Sequence, residues 1–113
     1  MKQGEELTVI TKTYDLIRWA CPLTSRFPRH HRFVLGTRIE HRLYDLLETL
    51  IQARYTRQRQ PLLEQANLTL EVLRFHMRLA KDLQCLRVKS YAFAGKAVDE
   101  IGRLVGGWLK TAG

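Results

Sequence analysis

Hydrophobic positions recur at steps of three and four along four stretches of this chain, the spacing that lines one face of an α-helix. In the first stretch, about residues 5–27, Leu7, Ile10, Tyr14, Ile17 and Cys21 form such a face. Pro22 should kink this helix or end its regular part, because proline lacks an N–H and crowds the preceding turn. The Phe27-Pro28 step then predicts a corner. The second stretch, about 29–55, carries Leu35, Ile39, Leu43, Leu46, Leu47 and Leu50. A polar break over Thr56–Gln60 follows, closed by Pro61, a residue suited to the first turn of a helix.

The third stretch, about 62–86, carries two stripes where one would be expected. Leu63, Ala66, Leu70, Leu73, Met77 and Ala80 cluster on one side, and Leu68, Val72, Phe75, Leu79 and Leu83 about half a turn away. Two opposed stripes need two things to pack against. The helix is unusually central, the domain is one subunit of several, or the second stripe receives a partner. So short a chain cannot surround one helix completely, which favours an oligomer or a partner. Leu68, Val72, Phe75 and Leu79 are the expected interface.

The last stretch, about 88–110, has Phe93, Ala97, Ile101, Leu104 and Trp108 in one band, widened by Tyr91, Val98 and Val105. Gly95, Gly102 and Gly106 fall along another side. Each costs about 1 kcal/mol of helix propensity relative to alanine, so they suggest close approach of another backbone; for Gly106-Gly107, terminal fraying is the competing explanation. Short connections join the four stretches, and short connections imply antiparallel neighbours. The expected fold is all-α: a single-domain, up-down-up-down four-helix bundle over residues 1–113.

Charge adds the next constraint. Nineteen Lys and Arg against eleven Asp and Glu leave +8, a surface that attracts polyanions such as nucleic acid, anionic membrane or an acidic protein. The alternative is a solvated surface serving solubility. Most of the cations are arginine, whose planar fork suits phosphate and also protein carboxylates. They are spread over all four helices and two loops, which fits sequence-tolerant phosphate contact better than base reading by one helix. Arg74, Arg78 and Lys81 flank the doubled stripe; exposure at an assembly surface competes there with pairing to Glu71 or Asp82. Arg29 and Arg32 gather with Arg26, His30 and His31 at the first corner, Arg42 lies beside the second stripe, and Arg103 is on the exposed side of the last helix.

Catalytic and metal-binding patterns are absent. A di-iron bundle needs Glu-x-x-His pairs, and His30, His31, His41 and His76 all lack the glutamate three positions earlier. No phosphate-cradling glycine loop, H-E-x-x-H or serine elbow occurs. The expectation is a non-enzymatic protein without cofactor or metal. Cys21 and Cys85 are expected to be reduced, mostly buried thiols, with a single disulfide as the alternative. No signal peptide and no membrane-length apolar run is present, so a cytoplasmic protein with no membrane association is expected.

Three stretches together resemble one family: Arg26-Phe27-Pro28-Arg29 with Leu35-Gly36; Leu73-Arg74-Phe75-His76-Met77-Arg78-Leu79-Ala80-Lys81; and Ile101-Gly102-Arg103-Leu104-Val105-Gly106-Gly107-Trp108. From about Tyr14 to Lys110 the chain is similar to Avd, the accessory variability determinant of diversity-generating retroelements. It is more distantly similar to four-helix proteins encoded in ribosomal RNA intervening sequences, although the Asn-Ile-Ala-Glu-Gly type of signature is missing. The Avd resemblance implies a homopentameric ring of four-helix bundles without catalytic activity. It also implies association with the retroelement's reverse transcriptase and with RNA or DNA, in support of mutagenic cDNA synthesis. By the Leu-Arg-Phe-x-x-Arg-Leu pattern it marks Arg74 and Arg78 as family basic positions, with Lys81 and Arg103 following. The alternative implied is a structural or protein-binding module of the intervening-sequence type.

Overall fold

The computed structural model describes residues 2–112. Four long helical runs form a bundle: α1 (Gln3–Thr24); a second run made of α2 (Arg29–His31), a π-helical turn (Arg32–Gly36) and α3 (Thr37–Arg54); α4 (Gln60–Asp82); and α5 (Val88–Ala112). Cross-helix contacts fix the directions. Thr24 meets Glu40 and Cys21 meets Tyr44 between α1 and α3. Arg74 meets Asp99 and Lys81 meets Tyr91 between α4 and α5. Lys12 meets Glu100 and Trp19 meets Phe93 between α1 and α5. In each pair one number rises as the other falls, so these neighbours are antiparallel, and α3 and α4 pack side by side through the short Tyr55–Arg59 connection. The arrangement is the expected up-down-up-down bundle.

Local chemistry sets the helix ends. Glu5 and Glu6 lie in the first turn of α1, where carboxylates oppose the positive end of the helix dipole. Pro22 sits in the last turn, and the helix stops two residues later rather than at Phe27. Hydroxyls take up the carbonyls left over at that end: Ser25 Oγ donates to Pro22 O at 2.8 Å and Thr24 Oγ1 to Cys21 O at 3.0 Å. Helix α4 begins with Pro61 in its first turn, as anticipated. It ends at Asp82, four residues before the predicted limit. The Gln84 amide donates to Lys81 O, and the Cys85 amide to Ala80 O at 2.7 Å. These are the paired bonds of a Schellman stop, with Gln84 in the left-handed region at φ 64° where glycine is usual.

The core draws on all four long helical runs. Val9, Ile39, Leu43, Leu46, Leu50, Leu63, Leu70, Leu73, Val98, Ile101, Val105 and Trp108 are completely or almost completely buried. The α3 stripe and the first of the two α4 stripes are therefore the core stripes, with Leu47 at the margin. The α1 and α5 faces need correction. Leu7 and Tyr14 are exposed, and α1 turns Glu6, Val9, Thr13, Leu16, Ile17, Ala20 and Thr24 inward. Three of these are polar side chains with partners: Thr13 Oγ1 donates to Val9 O at 2.9 Å within the helix, while Thr24 Oγ1 reaches Glu40 Oε2 at 2.6 Å and Glu6 faces Arg59 at 3.5 Å across the fold. In α5 the buried line runs through Ala94, Val98, Ile101, Val105 and Trp108, leaving Phe93 exposed against Trp19.

The glycine expectation is also corrected. Open space surrounds the Cβ positions of Gly95, Gly106 and Gly107. Gly102 is approached by a side chain and not a backbone: a Cβ there would lie 3.0 Å from Arg74 Nη2.

Candidate nucleic-acid interface

The second α4 stripe lies on the outside of the bundle. Leu68, Phe75 and Leu79 are 65%, 61% and 46% exposed, Leu83 is exposed and Val72 half-buried. Steps of four, three and four connect Leu68, Val72, Phe75 and Leu79, so they form one ridge along the helix. Leaving it in water forgoes roughly 25 cal/mol for each Å² that could be covered. A separate apolar surface lies on the α1–α3 side, where Leu7, Tyr14, Tyr44 and Ile51 are all exposed. Glu48 is exposed between Tyr44 and Ile51 on α3.

The basic residues divide by what holds them. Arg74 is held between its own helix and α5: Nη1 donates to Glu71 of α4 at 2.8 Å, Nε to Asp99 of α5 at 3.1 Å, and Nη2 lies over Gly102. Lys81 pairs with Asp82 at 3.6 Å and sits 4.7 Å from the centre of the Tyr91 ring. At these two positions the intramolecular pairing weighed against exposure is formed. Arg78 is exposed and, among the described residues, makes no ion pair. Arg42 reaches Asp45 only at 3.8 Å, and with Arg38 it faces His76 across the α3–α4 groove. Burial first, then the Arg42 and Arg38 charges, push the His76 pKa below its ordinary value, and its Nδ1 is buried without a hydrogen-bond partner.

Arg103 stands apart. The α4–α5 register sets Gly102 against Arg74, about 20 Å along the axis from the Leu83–Arg87 turn at 1.5 Å per residue, and Arg103 borders the α1 N-terminus beside Lys2 and Glu5. The seven arginines and lysines singled out from sequence thus do not form one patch on one chain.

A different group does converge. The Ser25–Pro28 and Leu83–Arg87 connections share one end of the bundle, where Arg26, Arg87, Leu23, Leu86, Cys85 and Ser90 line a shallow recess. Arg29 and Arg32 follow immediately in α2 and the π turn. Among the described residues no ion pair forms at Arg26, Arg29, Arg32 or Arg87. Sequence reading placed Arg26, Arg29 and Arg32 at a corner but passed over Arg87, which lies 55 residues beyond Arg32 and joins them only when the bundle closes. It also passed over Phe33, although the alternation of basic and aromatic residues from Arg26 to Phe33 was there to be seen. Cys21 and Cys85 are both free and half-buried, with no disulfide; burial raises the Cys85 thiol pKa.

Among the described residues no three His, Cys, Asp or Glu side chains gather as a metal site would require, and no helix is long and apolar enough to cross a membrane. What distinguishes the molecule is its exterior: a bundle closed within itself, bearing an apolar ridge on one side and unneutralised arginines at one end. By its fold it is an all-helical four-helix module. The chain belongs to the bAvd-like family, whose sequence model matches residues 7–112. No curated protein sequence matches it. Membership suggests an accessory protein of a diversity-generating retroelement.

Proposed function

We propose that this protein is the non-enzymatic accessory subunit of a diversity-generating retroelement, a homo-oligomeric ring that binds the element's reverse transcriptase and its RNA. The observation that carries the reading is the exposed α4 ridge of Leu68, Phe75 and Leu79 on a chain whose core is already complete. The ridge and the α1–α3 apolar face are different surfaces. Contact between two unlike surfaces repeats head to tail and closes into a ring when the rotation permits. Exposed Arg78 beside the ridge and Glu48 within the α1–α3 face supply charges of opposite sign for such a contact. Five copies is the number that the family resemblance implies. The basic coat then serves RNA and polymerase contact, with Arg78 and Arg29 exposed for it, Arg32 half-buried, Arg42 only loosely paired, and Arg103 on a second flank. Arg74 and Lys81 are held closer to the bundle and act through its surface shape as well as their charge.

Three measurements test this. Sedimentation should give a closed oligomer of the 13.2 kDa chain at micromolar concentration; a monomer would refute assembly. Affinity for single-stranded RNA should fall with salt, each phosphate contact adding about −0.7 to the log–log slope. Arg78→Ala should flatten that slope with the fold unchanged. An affinity indifferent to salt would overturn the electrostatic reading. Co-purification with the polymerase should survive in the presence of RNA and locate the protein partner; its absence there would remove the adaptor role.

A further inference from the structure

The corner that joins α1 to α3 has a feature which phosphate attraction alone leaves without a purpose. Phe33 is 68% exposed and Val34 60% exposed, although both lie next to the buried Leu35 and Gly36. A π-helical turn spans Arg32–Gly36; such turns widen the helix locally and are frequent at functional sites. The Arg32 guanidinium lies 5.0 Å from the centre of the Phe33 ring, and its Nη1 donates to Ser25 O at 3.3 Å. Arg32 is thus held against one face of the ring, and the exposure of Phe33 leaves the other face to solvent. Immediately before it, the His30 and His31 rings lie 4.1 Å apart, and Arg26 and Arg29 carry charge with no ion pair among the described residues.

Within eight residues the surface therefore alternates flat π faces with uncompensated cations. A single strand of nucleic acid presents the complement, bases with open faces alternating with phosphates, and proteins that hold single strands combine those two contacts. A duplex offers the phosphates but keeps its bases stacked. An acidic protein would satisfy the arginines and leave the ring unused. We propose that the Arg26–Phe33 corner is a stacking platform for an unpaired base of single-stranded RNA or DNA. Phe33 takes the base on its open face, Arg32 is held against the opposite face by the Ser25 carbonyl, and Arg29 meets a flanking phosphate. This rests on the nucleic-acid reading above and adds to it a preference for unpaired strands.

The experiment uses the intact chain, a short labelled oligouridylate, and a duplex of similar length, read by fluorescence anisotropy across a salt series, with sedimentation run on each variant. Phe33→Ala should weaken single-strand binding by roughly 5- to 150-fold, the range measured for loss of one base–aromatic stack. Its salt slope and its duplex affinity should stay as in the wild type, and Phe33→Trp should restore single-strand binding. Arg29→Ala should act in the other way, lowering the slope on both ligands. If Phe33→Ala binds the oligouridylate within about twofold of wild type, the platform is refuted while nucleic-acid binding stands. If Phe33→Ala loses single-strand and duplex binding together with its oligomeric state, Phe33 is a subunit contact and the platform is refuted. If the wild type binds neither ligand, the functional reading itself fails.

Discussion

Phe75 and Leu73 sit two residues apart on α4 and should answer two different questions when each is cut to alanine. Leu73 is fully buried, so Leu73→Ala should cost about 2–5 kcal/mol of folding stability at any protein concentration. Phe75 is 61% exposed. A phenylalanine presents roughly 200 Å², so about 120 Å² of it awaits cover, and about 100 Å² of that is lost on truncation to alanine. At ~25 cal/mol per Å² this amounts to about 2.5 kcal/mol for each subunit contact, or roughly 70-fold in subunit affinity. Assembly raises apparent stability by mass action. The wild-type Tm should therefore climb with protein concentration, and that climb should flatten in Phe75→Ala. Sedimentation velocity and thermal melts at a series of concentrations would read both effects. The reasoning fails if Phe75→Ala leaves the oligomer intact. It fails equally if that variant loses as much stability as Leu73→Ala at every concentration, since Phe75 would then be serving the core.

Two further outcomes follow from particular side chains. The His76 pKa is lowered in the folded chain by burial and by Arg42 and Arg38, so below the ordinary value of about 6.5 the unfolded chain takes up a proton that the native one resists. Stability should be full above that value and decline as pH falls from it toward the folded pKa; urea midpoints measured across this range should show the decline, and His76→Gln should remove it. Gln84 holds φ 64° at the α4 stop, a conformation that costs a side-chain-bearing residue about 1–2 kcal/mol. Gln84→Gly should raise stability by about 0.5–1 kcal/mol once the extra chain entropy of glycine is set against the relief, and a lower Tm would refute the strain.

Where one apolar face meets one core, the sequence pattern sufficed: the α3 leucines and the inner α4 stripe are buried as their spacing requires. In α1 the pattern was right only in part: Ile17 is buried and Ile10 and Cys21 pack against the core, but Leu7 and Tyr14 are exposed. The true inner face contains Glu6, Thr13 and Thr24, and hydropathy cannot nominate polar residues whose partners, such as Arg59 and Glu40, lie 53 and 16 residues away. Leu7 and Tyr14, which hydropathy did nominate, belong instead to an apolar surface shared with Tyr44 and Ile51. The glycines of α5 illustrate the same limit, since the reason for space at Gly102 is the Arg74 side chain arriving from another helix. For the binding surface, the amount of charge was legible and its distribution was not. The fold neutralises Arg74 and Lys81 locally and brings Arg87 beside Arg26, and both results depend on which helix ends share an end of the bundle.

Assembly and nucleic-acid contact, placed on different parts of the surface, have a joint consequence. The ridge is on the side of the bundle and the Arg26–Phe33 corner is at its end, so the proposed subunit contact repeats the corner without covering it. One corner, with a single stack and a few phosphates, is a weak site. Several on the proposed ring would engage a long strand at the effective concentration set by the strand itself, and avidity can exceed single-site affinity by about 10²–10⁴. Phe75→Ala, which touches no residue of the corner, should then weaken binding of RNA long enough to span neighbouring subunits by that order. It should leave the affinity for an oligonucleotide that fills one corner unchanged. Phe33→Ala should weaken both. If Phe75→Ala affects short and long strands alike, ridge and corner are one surface, and the separation of assembly from strand capture is wrong.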